Sequence, residues 1–588
     1  MKATKSTILT LILLAGVTAC DKDYLDRMPL SELSEESVFY TARDLELYTN
    51  GFYNDLPGFS IITNDNKSDN VLYGNVPLEQ TGERIVPGEP GSGGWSWGAL
   101  RKINFFFDHY QRCEDELAKK QYSGVAHFFR AYFYYNKLVR FGDVPWYDHV
   151  ISTTDEEALM KPRDPREYVV KKIVEDLDRA IANLGTDRAA DRVNKWTALA
   201  LKSRVCLFEG TYRKYHTELG LGGADTLLER AWKAADQVMT QGPYHLYSTG
   251  DHRHDYMMLF ASDEAKEEEV ILTRRYTREA NYSNNINYYF LATTMQDIGL
   301  TKDLVDSYLQ KDGTPFTQRP GYETLPFYEE MQNRDPRLAQ TVRTPGYRRI
   351  GGTTPLVPNF GASMSGYQIV KYVSDESQDG YKMSYQDIPI FRYAEVLLNF
   401  AEARAELGII TQDDLDRSIG LLRKRVGMPL LMLDNANNHP DPVEEAHYPN
   451  VTGPYKGVIL EIRRERRIEL VLEGFRYNDL MRWKAGKLLE RHFRGMYFPG
   501  YGEYDLDHDG NKDILVYEAG TQPTPSSSDL QQIEVGEGSV YIFSNGNGGN
   551  LVPFYDRLKQ FDEERDYLYP IPAGDLLLNP NLVQNPKW

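Results

Sequence analysis

Apolar residues recur through most of this chain at spacings of three and four, and that periodicity limits the fold to one built largely from amphipathic helices. Val125, Phe128, Tyr132, Tyr135 and Val139 mark one helix face. A second helix opens at Arg163-Asp164-Pro165-Arg166-Glu167. There Asp164 can cap, Pro165 suits the first turn and Glu167 completes a capping box. Val170, Ile173, Leu177, Ile181 and Leu184 form its buried stripe, and Gly185 is placed to end it. A third covers 392–407, with Val396, Phe400, Ala403 and Leu407 on one face, Ala401 and Ala405 permitting close packing, and Gly408 following. These pairs read as degenerate tetratricopeptide-like hairpins without a strict 34-residue period. Strands are minor, at 269–273 and 540–543. The expected class is mainly α: a single helical domain of hairpins with long loops and minor β.

The loops are unusually long. Residues 62–94 are rich in Asn, Asp, Gly and Pro; 281–287 hold four asparagines; 346–365 are rich in Gly and Pro, and 521–549 in Ser, Gly and Asn. Several such loops around one helical body describe a scaffold that presents a binding surface.

Residues 1–19 read as an export signal. Lys2 and Lys5 give a positive start, and 8–15 form an apolar run too short to span a bilayer. Val17-Thr18-Ala19-Cys20 resembles a lipobox, which makes Cys20 the lipidated first residue of a mature domain, 20–588, with Asp21-Lys22-Asp23 as a charged spacer. Several acyl chains on one residue anchor firmly, since each buried methylene adds about 0.8 kcal/mol. Removing the leader takes the formal charge from −19 to −21. So acidic a surface repels phosphate backbones and excludes nucleic acid as a partner. Cys113 and Cys206 remain, without zinc spacing, and read as buried free thiols.

Glu461, Glu465, Glu469 and Glu473 fall at intervals of four, on one stripe of a helix. Like charges at that spacing repel by roughly 0.2–0.5 kcal/mol per pair. Arg464, Arg466, Arg467, Arg476 and Arg482 are the nearby cations, and Arg466–Glu469 and Glu473–Arg476 are attractive at spacing three. The stripe therefore reads as an ion-pair network between packed helices. Carboxylate pairs for glycoside cleavage are the competing reading. A di-metal bundle would need Glu-x-x-His pairs, which this segment lacks.

Asp505-Leu506-Asp507-His508-Asp509-Gly510-Asn511-Lys512-Asp513 matches the opening of a calcium loop, with Asp505, Asp507, Asp509 and Asp513 as ligands and Gly510 at the sharp turn. Position twelve is Val516 where an EF-hand has Glu. Two readings stay open: a structural calcium clamp, or an acidic turn without an ion. His252 and His254 read as solvated rather than metal-bound.

Four segments together resemble the SusD/RagB family: CDKDYLDRMP from Cys20, HFFRAYFYYNKLVRFGDVPW at 127–146, IPIFRYAEVLLNFAEARAELG at 388–408 followed by IRRERRIELVLEGFRYNDLMRWKAG at 462–486, and YLYPIPAGDLLLNPNLVQNPKW at 567–588. The resemblance implies a helix-rich single unit on tetratricopeptide-like hairpins, lipid-anchored at the outer-membrane surface. It implies a lid over a SusC-like TonB-dependent transporter, which holds a nutrient, most often an oligosaccharide, and performs no chemistry on it. A surface glycoside hydrolase and a protein-interaction scaffold are the alternatives.

A saccharide site needs aromatic faces for sugar C–H groups and a few fixed polar groups for hydroxyls. Two loops qualify: one with Asp69, Asn70 and Tyr73 that ends at Trp95 and Trp97, and one with Tyr282, Asn285 and Tyr288. For Trp95 and Trp97 the competing reading is a staple holding the following helix to the core.

Overall fold

The computed structural model describes residues 39–295 and 298–588. The leader, Cys20 and the first family segment lie outside the described residues.

The body is a layer of helical hairpins. Its principal helices are α1 (Ala42–Asn50), α2 (Gly98–His109), α3 (Glu116–Phe141), α4 (Arg166–Asn183), α5 (Lys195–Tyr215) and α6 (Ala224–Gln241). Then come α7 (Ile286–Leu291), α8 (Lys302–Ser307), α9 (Tyr393–Glu406), α10 (Lys456–Glu469), α11 (Arg476–Arg482) and α12 (Ala573–Leu578). The α3/α4 and α5/α6 hairpins pack side by side, and α9 lies against α6 and α10. Gly210 sets the α5/α6 approach, because a Cβ there would sit 2.9 Å from Leu228. Asp115 caps α3 by accepting from the Ala118 N–H at 3.0 Å, and α3 ends at Gly142, whose φ is +73°.

All three periodic segments are helices, but α4 starts differently from the expected capping box. Its first residue is Arg166, whose N–H donates to Asp143 at 2.7 Å. Asp164 instead accepts from the Trp146 N–H at 2.6 Å, so the cap comes from the preceding turn. At the other end Leu184 turns extended, so Gly185 does not close the helix in the left-handed conformation.

The strands are β1 (Val71–Leu72), β2 (Val270–Arg274), β3 (Gly299–Leu300), β4 (Ile388–Arg392) and β5 (Tyr497–Phe498). They continue with β6 (Gly502–Tyr504), β7 (Ile514–Glu518), β8 (Gln531–Val535), β9 (Tyr541–Asn545) and β10 (Gly548–Pro553). Antiparallel β1–β3 and β2–β4 tie distant loops together, and a six-stranded mixed sheet runs β5-β10-β9-β8-β7-β6. The strands expected at 269–273 and 540–543 are β2 and β9, but the rest of 521–549, expected as a loop, also holds β8 and the start of β10. One apolar core fills the hairpins, and a second, with Tyr256, Ile286, Leu304, Ile369, Val516 and Leu551, lies between the loops and this sheet. Cys113 and Cys206 are buried and unpaired.

The glutamate stripe is a buried ion network: Glu461 pairs with the expected Arg464 and with Arg423, Glu473 lies past the end of α10, and the remaining cations come from elsewhere in the chain. Glu465 meets Arg337 and Arg423; Glu469 meets Arg337, Arg392 and Arg425; Glu473 meets Arg392 and Lys371. Arg466 turns instead to Asp479, Arg467 and Arg476 to Asp69, and Arg482 to Glu402. Arg392 also binds Glu269, so one guanidinium on β4 joins three carboxylates.

Candidate saccharide-binding surface

The polar loop around α7 folds back on the loop before β4 through a backbone bridge, Asn284 to Ser384. Left-handed turns at Asn281 (φ +51°) and Lys382 (φ +57°) let the two loops meet. Beneath them Asn287 is buried, donating to Asp375 O and Asp379 and accepting from the Ser374 N–H. Arg349 closes this base on Asp379 at 2.7 Å.

This base lifts several aromatic side chains to the surface. Tyr381 is 61% exposed, and half-buried Tyr288 meets it edge to face with ring centres 5.6 Å apart. Tyr282 is 43% exposed and stacks on Tyr276 at 5.1 Å and 11°. Its hydroxyl is fixed by donation from Arg274 Nε at 3.1 Å. Arg278 lies 4.5 Å over the Tyr385 ring. Asn285 Oδ1 accepts from the Lys382 N–H at 2.7 Å, and Tyr288 shares a 3.0 Å hydrogen bond with Thr294. The result is a set of aromatic faces held by neighbouring rings and arginines, with amide and hydroxyl groups at their edges. Such a surface can stack on sugar C–H faces and bond to hydroxyls.

Of the seven residues expected from sequence, Tyr282, Asn285 and Tyr288 lie on these bridged loops. Tyr381, Tyr385 and Lys382 were missed; the segment Asp379-Gly380-Tyr381-Lys382 carried the same signal of an aromatic in a polar loop. The residues expected in the first loop turn into the protein instead. Asn70 is fully buried and accepts from Arg467 at 2.7 Å. Asp69 is clasped by Arg467 and Arg476, which hold its carboxyl well below the usual range against the upward push of burial. Trp95 is 3% exposed, edge-on to Phe141 at 4.8 Å and Trp97 at 5.4 Å, so it staples α2 to α3. Lys137 serves the same joint. It donates to Gly94 O and Ser96 O, and burial pushes its pKa down to about 7. Tyr73 is half-buried against the second core.

The acidic loop lies between β6 and β7 with no flanking helices. Carboxylate oxygens of Asp505, Asp507 and Asp513 lie within 4.8 Å of one another, a spread that one cation can gather. Asp509 is not in this group and accepts from the Asn511 N–H instead. Asp505 accepts from the His508 and Gly510 N–H groups, and Gly510 takes φ +94°. Burial, then Asp507, Asp505 and Asp509, push the Asp513 pKa up to about 6. His252 bonds to Arg425 O and His254 to Asp251, and neither joins a cluster that could hold a metal among the described residues.

The profile of the SusD family matches residues 268–588, which span β2, α7 to α12, most of the second core and the six-stranded sheet. The chain belongs to the SusD family. A second profile, described as starch-binding and associating with the outer membrane, matches 97–207. SusD-like protein P2 of Formosa agariphila is 23% identical over 99% of both chains. SusD-like protein P38 of the same organism is 24% identical over 81% of this chain and 90% of its own. Among solved structures, a SusD-like protein of Bacteroides fragilis superposes with TM-score 0.69 at 21% identity, covering 96% of this chain and all of its own. A SusD-like carbohydrate-binding protein of the same species also gives 0.69, at 23% identity, over 93% and 99%. The mainly α SusD fold expected from sequence is thus the fold of this chain.

Proposed function

We propose that this SusD-family chain is a lipid-anchored outer-membrane protein that captures an oligosaccharide and passes it to a SusC-like TonB-dependent transporter. The observation that carries the reading is the display of Tyr282, Tyr288 and Tyr381 on two bridged loops, with Tyr288 against Tyr381 and Asn285 bonded to Lys382. The family description as starch-binding and outer-membrane-associated supports it. No helix among the described residues is long and apolar enough to cross a membrane, so attachment falls to Cys20 in this reading. In this reading the protein binds rather than cleaves, and the pairing of Glu461, Glu465, Glu469 and Glu473 with arginine or lysine supports it for that stripe.

Calorimetry on an oligosaccharide panel tests the platform. Tyr381→Ala and Tyr288→Ala are each expected to weaken binding by about 1–3 kcal/mol, the scale of a lost aromatic contact. Circular dichroism should be unchanged. If both variants bind like the parent, the platform is not the site. Incubation with the bound sugar should release no new reducing ends.

A further inference from the structure

Away from the tyrosine platform, two adjoining clefts of about 550 Å³ and 340 Å³ share Asp303, Arg491 and Arg494 as a common wall. Phe543 and Tyr555 line the larger; Tyr322 and His447 line the smaller. The ionic groups of these walls are sorted by depth. The Arg491 and Arg494 side chains are 45% and 36% exposed, whereas Asp303 is 17% exposed and Asp306, Glu444 and Asp441 are 8% or less. The deep carboxylates have cations of their own: Lys302 for Asp306 at 2.9 Å, and Arg464 for Asp441 and Glu444. Asp303 is the carboxylate paired with both arginines, 2.5 Å from Arg494 and 3.6 Å from Arg491, and Asp306 also acts on Arg494 from deeper in the wall. Arg491 also donates to His447 Nε2 at 2.6 Å. Behind the wall, Lys559 donates to Arg491 O at 2.5 Å and lies 3.7 Å over the Phe493 ring. Solvent in these clefts therefore meets guanidinium, on a chain whose net charge is −19.

Guanidinium is the side-chain group whose planar fork matches carboxylate and sulfate oxygens. We propose that this cleft binds the oxyanion of an acidic saccharide, a carboxylate or sulfate ester carried on a sugar, with Arg491 and Arg494 as the gripping residues. The proposal rests on the reading that the chain binds saccharides, and adds a charge class and a second place of contact.

Calorimetry on the full chain tests it with tetragalacturonate, a sulfated galactan tetrasaccharide, neutral maltotetraose and sodium sulfate alone. At least one acidic tetrasaccharide should bind, less tightly as ionic strength rises. Arg491→Gln should weaken that binding tenfold or more with an unchanged melting temperature, and Arg491→Gln/Arg494→Gln should abolish it. Binding of one acidic sugar and not the other assigns carboxylate or sulfate. Failure of both to bind, binding of sulfate alone, or Arg491→Gln binding like the parent would overturn the proposal. Maltotetraose binding that Tyr381→Ala removes, beside acidic-sugar binding indifferent to Arg491→Gln, would overturn the cleft and leave the platform standing.

Discussion

Asp513 is pulled two ways. Its carboxylate accepts the Leu506 N–H at 2.7 Å and so fixes the turn, yet burial and three neighbouring aspartates raise its pKa to about 6. A carboxyl with a raised folded pKa binds protons more readily in the native state. Stability contributed by this group therefore falls as pH rises from about 4 to about 6, and stays low above that. Calcium would reverse the penalty at neutral pH by supplying the missing positive charge. The expected outcome is a melting temperature at pH 7 that rises with calcium and falls with chelator. Saturation near 100 times the dissociation constant is worth about 2.7 kcal/mol. Asp507→Ala should erase the response; a calcium-independent melting curve, with no metal by elemental analysis, would leave an ion-free turn. Without calcium, Asp513→Asn should raise the melting temperature at pH 7 and lose that advantage near pH 4. Single residues were legible unevenly. Tyr282 and Tyr288 could be read as surface aromatics because their neighbours are amides. Trp95 sits in a polar Gly/Ser loop and is buried, since its exposure is decided by Phe141 on α3. Local polarity cannot report a contact 46 residues away.

At the scale of elements, the row of glutamates, three on α10 and Glu473 past its end, could be read as needing compensation, and Arg464 as a cation for Glu461, but most of the partners could not. They come from Arg337, Lys371, Arg392, Arg423 and Arg425, whose positions depend on the whole topology. Buried ion pairs are poor evidence of stability in themselves, but losing one partner is costly. Arg392→Leu removes the one cation shared by Glu269, Glu469 and Glu473, leaving them to Arg425, Arg337 and Lys371, and should destabilise by about 3–5 kcal/mol, read from the urea midpoint. Arg392→Lys keeps the charge but loses the fork that reaches several carboxylates, so it should lie between the two. A parental midpoint in Arg392→Leu would show that the network relaxes without it. Only β2 and β9 among the described strands were legible, at 269–273 and 540–543. β1, β3 and β5 are only two residues long, and β8 pairs in parallel with β7 across a Ser/Pro-rich connection. Their partners, and not their own alternation, make them strands. The helices carry their periodicity in sequence, and were legible to within a turn.

For the whole molecule, the lipid anchor assigned to Cys20 predicts that Cys20→Ala moves the protein from the detergent phase to the aqueous phase on cloud-point partition. Retention in the detergent phase would refute anchoring through that residue. The remaining consequence concerns time. Residues 565–588 return to the start of the fold: Tyr569 N–H donates to Arg140 O at 2.8 Å, Asp566 pairs with Arg84 at 2.8 Å, and Arg163 reaches Asn585 at 2.7 Å. The loop around β1 likewise waits for Arg467 and Arg476, some 400 residues on. Contacts of such separation form late, because closing the intervening chain must precede any gain from them. A ribosome or a secretion channel handling the first 500 residues therefore holds helices whose ends and salt bridges lack their partners. Such a chain stays open to threading through a narrow pore, and it exposes apolar surface to chaperones until its final segment is released.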